Sequence, residues 1–343
     1  MEKGKDLILT SLITFIVTFV ILSCASRVFI PKWITHEDNM MSYIIKGFYE
    51  EDKNSLDVLF MGNSDVYRGI SPMEIYQKTG ITSYNFVSAG QRMWIAYTML
   101  EEALRLQKPK VIFFNVDELF FTSQSDGAAH KVYDNLNWGL PKIKGVFDKN
   151  YENKGKLSHF FPIFAYHNRY KDLTTDDFKY AFYDYSNPTK GMDLVAYQEP
   201  YTSDLDYMQN KNEEDPVPDK TKDYLLKMKD LCEKKGVEFV LVELPSPDSW
   251  TYARSLAVEV VAFENDLTFI DLNKIDIGID WSKDTSDGGD HLNIYGAEKV
   301  SSYLASYLKD HFSFEKKSEK IKKQWDDDYQ TYLKIKEKEI NAV

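Results

Sequence analysis

Leu56-Asp57-Val58-Leu59-Phe60-Met61-Gly62-Asn63-Ser64-Asp65 is the stretch whose reading decides the fold. Val58 to Met61 is a short apolar run without a polar break, the pattern of a strand buried on both faces of a parallel sheet. It stops abruptly at Gly62-Asn63-Ser64. Open α/β sheets place their chemistry at the carboxyl ends of their strands. Glycine lets the backbone turn sharply there, and the Ser64 hydroxyl would be lifted into the crevice above the sheet. The bland alternative is an ordinary strand-to-helix turn with Ser64 as a cap.

Working outward, Ser71-Pro72-Met73-Glu74 starts a helix, with Ser71 as N-cap, Pro72 first and Glu74 placed to complete a capping box. Thr82 to Val87 reads as the next strand and ends in Ser88-Ala89-Gly90-Gln91. Trp94 to Gln107 has helical periodicity, Lys108-Pro109-Lys110 breaks it, and Val111 to Val116 is a third buried strand. Further on, Asp223 to Lys235 is an amphipathic helix ended by Gly236. Val237 to Leu244 and Thr268 to Leu272 are strands, and Ala297 to Leu308 closes the domain as a helix. Strands alternating with helices predict an α/β fold, a doubly wound parallel sheet.

Near the far end, Asp287-Gly288-Gly289-Asp290-His291-Leu292-Asn293-Ile294-Tyr295-Gly296 places a carboxylate just upstream of a histidine. Such a pair can orient an imidazole to serve a serine as general base. Taken together, Gly62, Ser64, Asp287, His291, Leu292, Asn293 and Gly296 resemble the first and last blocks of the SGNH/GDSL esterase and acyltransferase superfamily. The resemblance is closest to its membrane-anchored branch, which includes the D-alanine transfer protein of teichoic-acid synthesis and the alginate acetylation proteins. It implies flavodoxin-like layers, Ser64 as nucleophile, His291 as base and Asp287 as the acid, with Asp284 and Asp290 as alternatives. It implies an oxyanion hole from the N–H groups of Ser64 and Gly90, with Asn115 as a further candidate donor. Two positions depart from the pattern: Asn63 stands where the first block usually has aspartate, and Gly288 stands where the acid usually lies.

The chain has 343 residues, 43% of them hydrophobic, and a net charge of −12. That is enough to bury a core, and the acidic balance argues against nucleic acid as a partner. A polyanionic substrate would have to meet local cations such as Arg68, Arg92, Lys142 and Lys144. Gln91, His167 and Arg169 are further candidates for substrate contact. There are two cysteines, with no zinc-type spacing and no metal or organic cofactor implied.

Leu7 to Ser26 carries no charge, and about 20 such residues can span a bilayer. Its length favours an uncleaved anchor with the domain outside, while Ser23-Cys24-Ala25-Ser26 has the flavour of a cleaved signal. The expected organisation is a tail over 1–6, an anchor over 7–26, a connector over 27–54, and a catalytic domain over 55–119 and 216–312. An aromatic, mainly helical insertion fills 120–215. An amphipathic helix occupies 313–343, with Ile321, Trp325, Tyr329 and Leu333 recurring every four residues.

The resemblance implies a serine-dependent O-acyltransferase or esterase of a cell-surface polysaccharide or teichoic acid, with a membrane-bound O-acyltransferase as donor partner. The competing expectation is an inactive binding or assembly protein built on the same fold.

Overall fold

Five short apolar runs become the five strands of one parallel sheet in the computed structural model. It describes residues 2–32, 40–153, 155–183, 186–203, 205–209 and 213–343. Part of the expected connector (33–39), part of the aromatic cluster that ends at Tyr185, and the start of the linker at 210–212 lie outside the described residues.

Helix α1 (Glu2–Phe29) is followed by α2 (Met40–Glu50), β1 (Val58–Met61), α3 (Ser64–Gly69), α4 (Pro72–Thr79), β2 (Ser83–Asn85), α5 (Met93–Leu106) and β3 (Val111–Asn115). The insertion carries only short pieces, among them α6 (Asp126–Tyr133), α7 (Leu140–Val146), α8 (Ile163–Tyr166) and α9 (Thr175–Lys179). The alternation then resumes with α10 (Asp219–Lys235), β4 (Glu238–Glu243), α11 (Tyr252–Glu264), β5 (Thr268–Asp271), α12 (Ile294–His311) and α13 (Glu319–Asn341).

The strand order is β2-β1-β3-β4-β5, with every pair parallel. Because the chain moves one way from β1 to β2 and the other way from β2 to β3, right-handed crossovers put the intervening helices on opposite faces. Accordingly α4 packs against α12, and α5 against α10. All strand residues from Val58 to Met61 and from Val111 to Asn115 are buried, as a sheet covered on both faces requires. The first residue after β1 therefore emerges at the point where the strand order reverses.

Local chemistry sets the helix limits. Ser71 Oγ accepts from Glu74 N at 3.3 Å, and Gly80 ends α4 in the left-handed region. The capping box is not completed, because the Ser71 N–H goes to Ser301 Oγ and the Glu74 carboxylate accepts from Tyr332 and Lys336 instead. Helix α11 went unread in the sequence. It begins at Thr251, whose hydroxyl caps Arg254 N.

Helix α13 packs on the domain through Trp325 and Tyr332, both 1% exposed. A step of four residues overshoots a 3.6-residue turn by about 40°, so the stripe read every four residues rotates off the buried face. Leu333 is 36% exposed for that reason, and Tyr332 takes its place. Lys190 fastens the helix, with its ammonium 2.6 Å from Glu51, 2.7 Å from Asp328 and 4.7 Å over the Trp325 ring. Trp325→Ala should lower unfolding stability by about 3–5 kcal/mol, and Leu333→Ala by less than about 1 kcal/mol. Thermal unfolding of the two variants checks the difference.

Candidate active site

Ser64 is the first residue of α3, at the carboxyl end of β1. Gly62 makes the turn with φ 147°, and a Cβ there would lie 2.8 Å from Asn115 Cβ and 2.8 Å from Val66 Cγ2. Only glycine fits that approach. Asn63 is the helix cap: its Oδ1 accepts from Asp65 N at 3.1 Å, and its Nδ2 donates to Asp117 Oδ2 at 3.0 Å. Arg254 Nη1 stands 3.5 Å from the other Asp117 oxygen. A chain from Arg254 through Asp117 to Asn63 thus fixes the start of the serine helix.

The histidine loop is built just as firmly. Asn293 Oδ1 caps α12 by accepting from Tyr295 N at 3.0 Å and Gly296 N at 3.3 Å. Its Nδ2 donates to the carbonyls of Lys283, Thr285 and Tyr197. Asp287 clasps His291 twice, through the backbone N at 2.7 Å and ring Nδ1 at 2.6 Å. Asp290 Oδ2 also reaches Nδ1, at 3.2 Å. Asp284 does not: it is buried against Lys299 and accepts from Asp280 N. With Nδ1–H held by Asp287, Nε2 is the free basic nitrogen.

That nitrogen lies 3.9 Å from Asp65 Oδ1, so the imidazole stands beside the residue that follows Ser64. Ser64 Oγ has no hydrogen-bond partner among the described residues. Apo sites often leave this bond open until substrate arrives.

The second loop runs beside the first, since Ser88 N donates to Gly62 O at 3.4 Å. Gly90 sits in this loop at φ 60°. Arg92 ties the loop to the next segment through Ser123 O and Gly90 O. Gln91 is buried, and its amide is satisfied by donating to Glu118 Oε2 at 3.2 Å and accepting from Ser88. Asn115 accepts from Leu244 N at 3.2 Å, while its Nδ2 is buried without a partner beneath the Gly62 turn. Arg68 pairs with Asp193 at 2.8 Å. Burial would raise the Asp287 carboxyl, but the His291 hydrogen bonds and charge, with a smaller share from Arg68, hold it below its ordinary value.

His167 and Arg169 do not join this group. Arg169 bonds Phe29 O and Asp177, pinning the end of α1, and His167 is exposed with Nδ1 on Phe164 O. Lys142 is buried near α2, and Lys144 pairs with Glu101.

Sequence reasoning missed Asp65, Asp117, Arg254 and an extended strap over residues 193–201. The strap bonds the histidine loop at Thr285, Gly288 and Ile294 and crosses it at Trp281. Nothing in local spacing marks a strap whose partners lie almost a hundred residues on. Asp65 could have been noticed from its place beside Ser64, but its burial could not.

Burial dominates the electrostatics. It pushes the Asp65 carboxyl up to about 8, with the Asp117 charge adding to the effect. Asp117 rises to about 6 by burial, opposed by Arg254 and Asn63. Burial also raises Glu118 and Glu243 well above the ordinary range. Burial alone would lower His291, but the Asp287 hydrogen bond and the charges of Asp65, Asp290 and Asp287 raise it on balance. By spacing, Asp287, Asp290 and His291 could hold a divalent cation, as could His130, Asp134 and His159; each trio brings its ligand atoms within 4.8 Å.

No protein-family model matches the chain, and no curated protein matches it. Among solved structures it is similar to a candidate acylhydrolase of Bacteroides fragilis, with a TM-score of 0.39 and 12% identity over 80% of this chain and 99% of that one. It is also similar to a GDSL-like lipase of Bacteroides thetaiotaomicron, with a TM-score of 0.36 and 12% identity over 74% of this chain and 88% of that one.

The raised carboxyls give a stability prediction with a definite sign. Between 3.8 and about 8 the folded chain holds a proton on Asp65 that the unfolded chain has released. Its contribution is full below that window and is lost as pH rises through it. The melting temperature should therefore fall between pH 5 and about 8, and Asp65→Asn should flatten that fall. Melting curves across the range, wild type against variant, check it.

Proposed function

We propose that the chain is a serine-dependent O-acyltransferase or esterase, acting outside the cytoplasmic membrane on a cell-surface polysaccharide or teichoic acid. One observation carries the reading: the Asp287–His291 pair is held beside the first turn of α3, where Ser64 opens the helix at the switch point of the sheet.

In this reading Ser64 Oγ attacks an acyl carbonyl and gives its proton to His291 Nε2. Asp287 keeps the ring in the right tautomer and stabilises it once charged. The N–H groups of Ser64 and Gly90, and the unpartnered Asn115 Nδ2, are the donors offered to the oxyanion, each worth about 10²–10³ in rate. His291 then returns the proton to the leaving group. A sugar or polyol hydroxyl takes the acyl group in transfer, and water takes it in hydrolysis. A membrane-bound O-acyltransferase is the proposed donor, and α1, long and apolar enough to cross a membrane, is the proposed anchor.

The contact of His291 Nε2 with Asp65 favours a second reading, an inactive binding or assembly protein in which the imidazole is a structural partner. Labelling with a serine-directed fluorophosphonate separates the two. The wild type should label, Ser64→Ala should not, and His291→Ala should label at least about 10⁴-fold more slowly. A folded wild type that stays unlabelled would support the binding protein and sink the enzyme.

The labelling rate should also rise with pH, with a midpoint above 6.5, because His291 must be neutral to act as base and its pKa is raised. Asp287→Asn should move that midpoint downward and lower the plateau. A pH–rate profile of both proteins reads this directly.

A further inference from the structure

Away from the serine, the insertion, α2 and the end of α1 line an open cavity of about 600 Å³. Phe19, Ser23, Ser26 and Arg27 line it from α1, a single helical stripe that passes from the apolar span to its basic end, and Ile30 follows just beyond the helix. Trp138 and Phe160 face the stripe, and the Phe19 ring meets Trp138 edge-on at 5.4 Å. The lining is rich in cations: Arg27, Lys32, Lys46 and Lys142 stand against two acids, Glu50 and Asp134. Asp134 is already taken, accepting from His130, His159 and Tyr166 at 2.8 Å each.

Among the described residues, no carboxylate lies within ion-pair distance of Arg27, Lys46 or Lys142. Lys142 is 3% exposed and spends one donor on Leu136 O, leaving two for a ligand. Loss of hydration, then the Lys142 and Arg27 charges, push the Lys46 ammonium down to about 7. Burial likewise lowers Lys142 to about 8. Four cations against two acids leave the cavity with an excess of positive charge that an anionic ligand would offset.

The cavity also has exposed apolar lining, Trp138, Phe182 and Tyr183, and Leu140, Phe147, Leu157, Phe164 and Phe178 are exposed elsewhere in the same insertion. Aromatic and aliphatic side chains beside the end of an apolar helix are what an interfacial membrane surface presents.

We propose that this cavity seats the phosphate headgroup of an anionic membrane glycerophospholipid, held by Arg27, Lys46 and Lys142, with its acyl chains lying along α1 past Phe19. The inference goes beyond the acyl chemistry and does not need it. It rests on α1 remaining attached, which the intact mass of the purified chain reads separately.

The test uses the full chain purified in a non-ionic detergent, with phosphatidylglycerol, phosphatidylcholine or inorganic phosphate added. Native mass spectrometry and melting temperature are the readouts. Phosphatidylglycerol should be retained at one per chain and raise the melting temperature. Phosphatidylcholine should bind at least ten-fold more weakly, and inorganic phosphate more weakly still. Lys46→Gln and Lys142→Gln should each weaken phosphatidylglycerol retention at least ten-fold, whereas Ser64→Ala and Lys309→Gln should leave it unchanged. Should Lys142→Gln fail to fold, Lys46→Gln and Arg27→Gln decide, since neither side chain is fully buried. Equal retention of the two lipids, wild-type retention by Lys46→Gln, or inorganic phosphate binding as tightly as phosphatidylglycerol would each overturn the assignment. So would a purified chain that starts beyond Ser26, because the cavity would have lost its α1 wall.

Discussion

The side chain of Asn293 is the interaction on which the site depends most. With one oxygen it caps the last helix of the sheet domain, and with one NH₂ it reaches three carbonyls from two segments. A buried amide that satisfies five partners cannot shift without breaking several of them at once. The loop carrying His291 is therefore rigid at its root, and only the short arc from Ser286 to His291 is left to present the imidazole. The Asp287 carboxylate then holds that arc closed across its own mouth.

Behind the serine lies a different constraint. Four carboxyl groups, Asp65, Asp117, Glu118 and Glu243, are buried at the carboxyl edge of the sheet, and among the described residues only Arg254, on Asp117, and the His291 imidazole, on Asp65, stand within ion-pair distance of them. They cannot all ionise together in so dry a place. Protons retained there keep the ground behind Ser64 closer to neutral, which the oxyanion of the proposed acyl chemistry would require. Asn63 fits the same logic. An amide can donate to Asp117, whereas a fifth carboxylate would have repelled it.

Much of this was legible in the sequence. The strands announced themselves because a parallel sheet leaves no polar face, and Gly62 and Gly236 marked their turns because few other residues take those angles. Ser64 and His291 could be singled out from small motifs, and Asp287 as the nearest upstream carboxylate not adjacent to the histidine. Contacts between distant, unremarkable segments were not legible. The strap over 193–201, the Arg254–Asp117 link and the placement of Arg169 against Phe29 depend on tertiary approach, which leaves no periodic trace. Arg169 looked like a ligand for a glycan because an arginine among aromatics reads the same whether it faces solvent or a helix end.

The order of the strands has a consequence for how the chain comes to be folded. β2, β1 and β3 are supplied within the first 115 residues and can pair early. The next partner, β4, pairs Val111 with Glu238, on the far side of the whole insertion. Until it arrives, the open edge of Val111-Ile112-Phe113-Phe114 is a bare apolar template. Long-range parallel pairing is slow, so the half-built sheet is the species most exposed to aggregation. A holding chaperone that covers that edge during synthesis would govern the yield of this protein more than the stability of its finished fold.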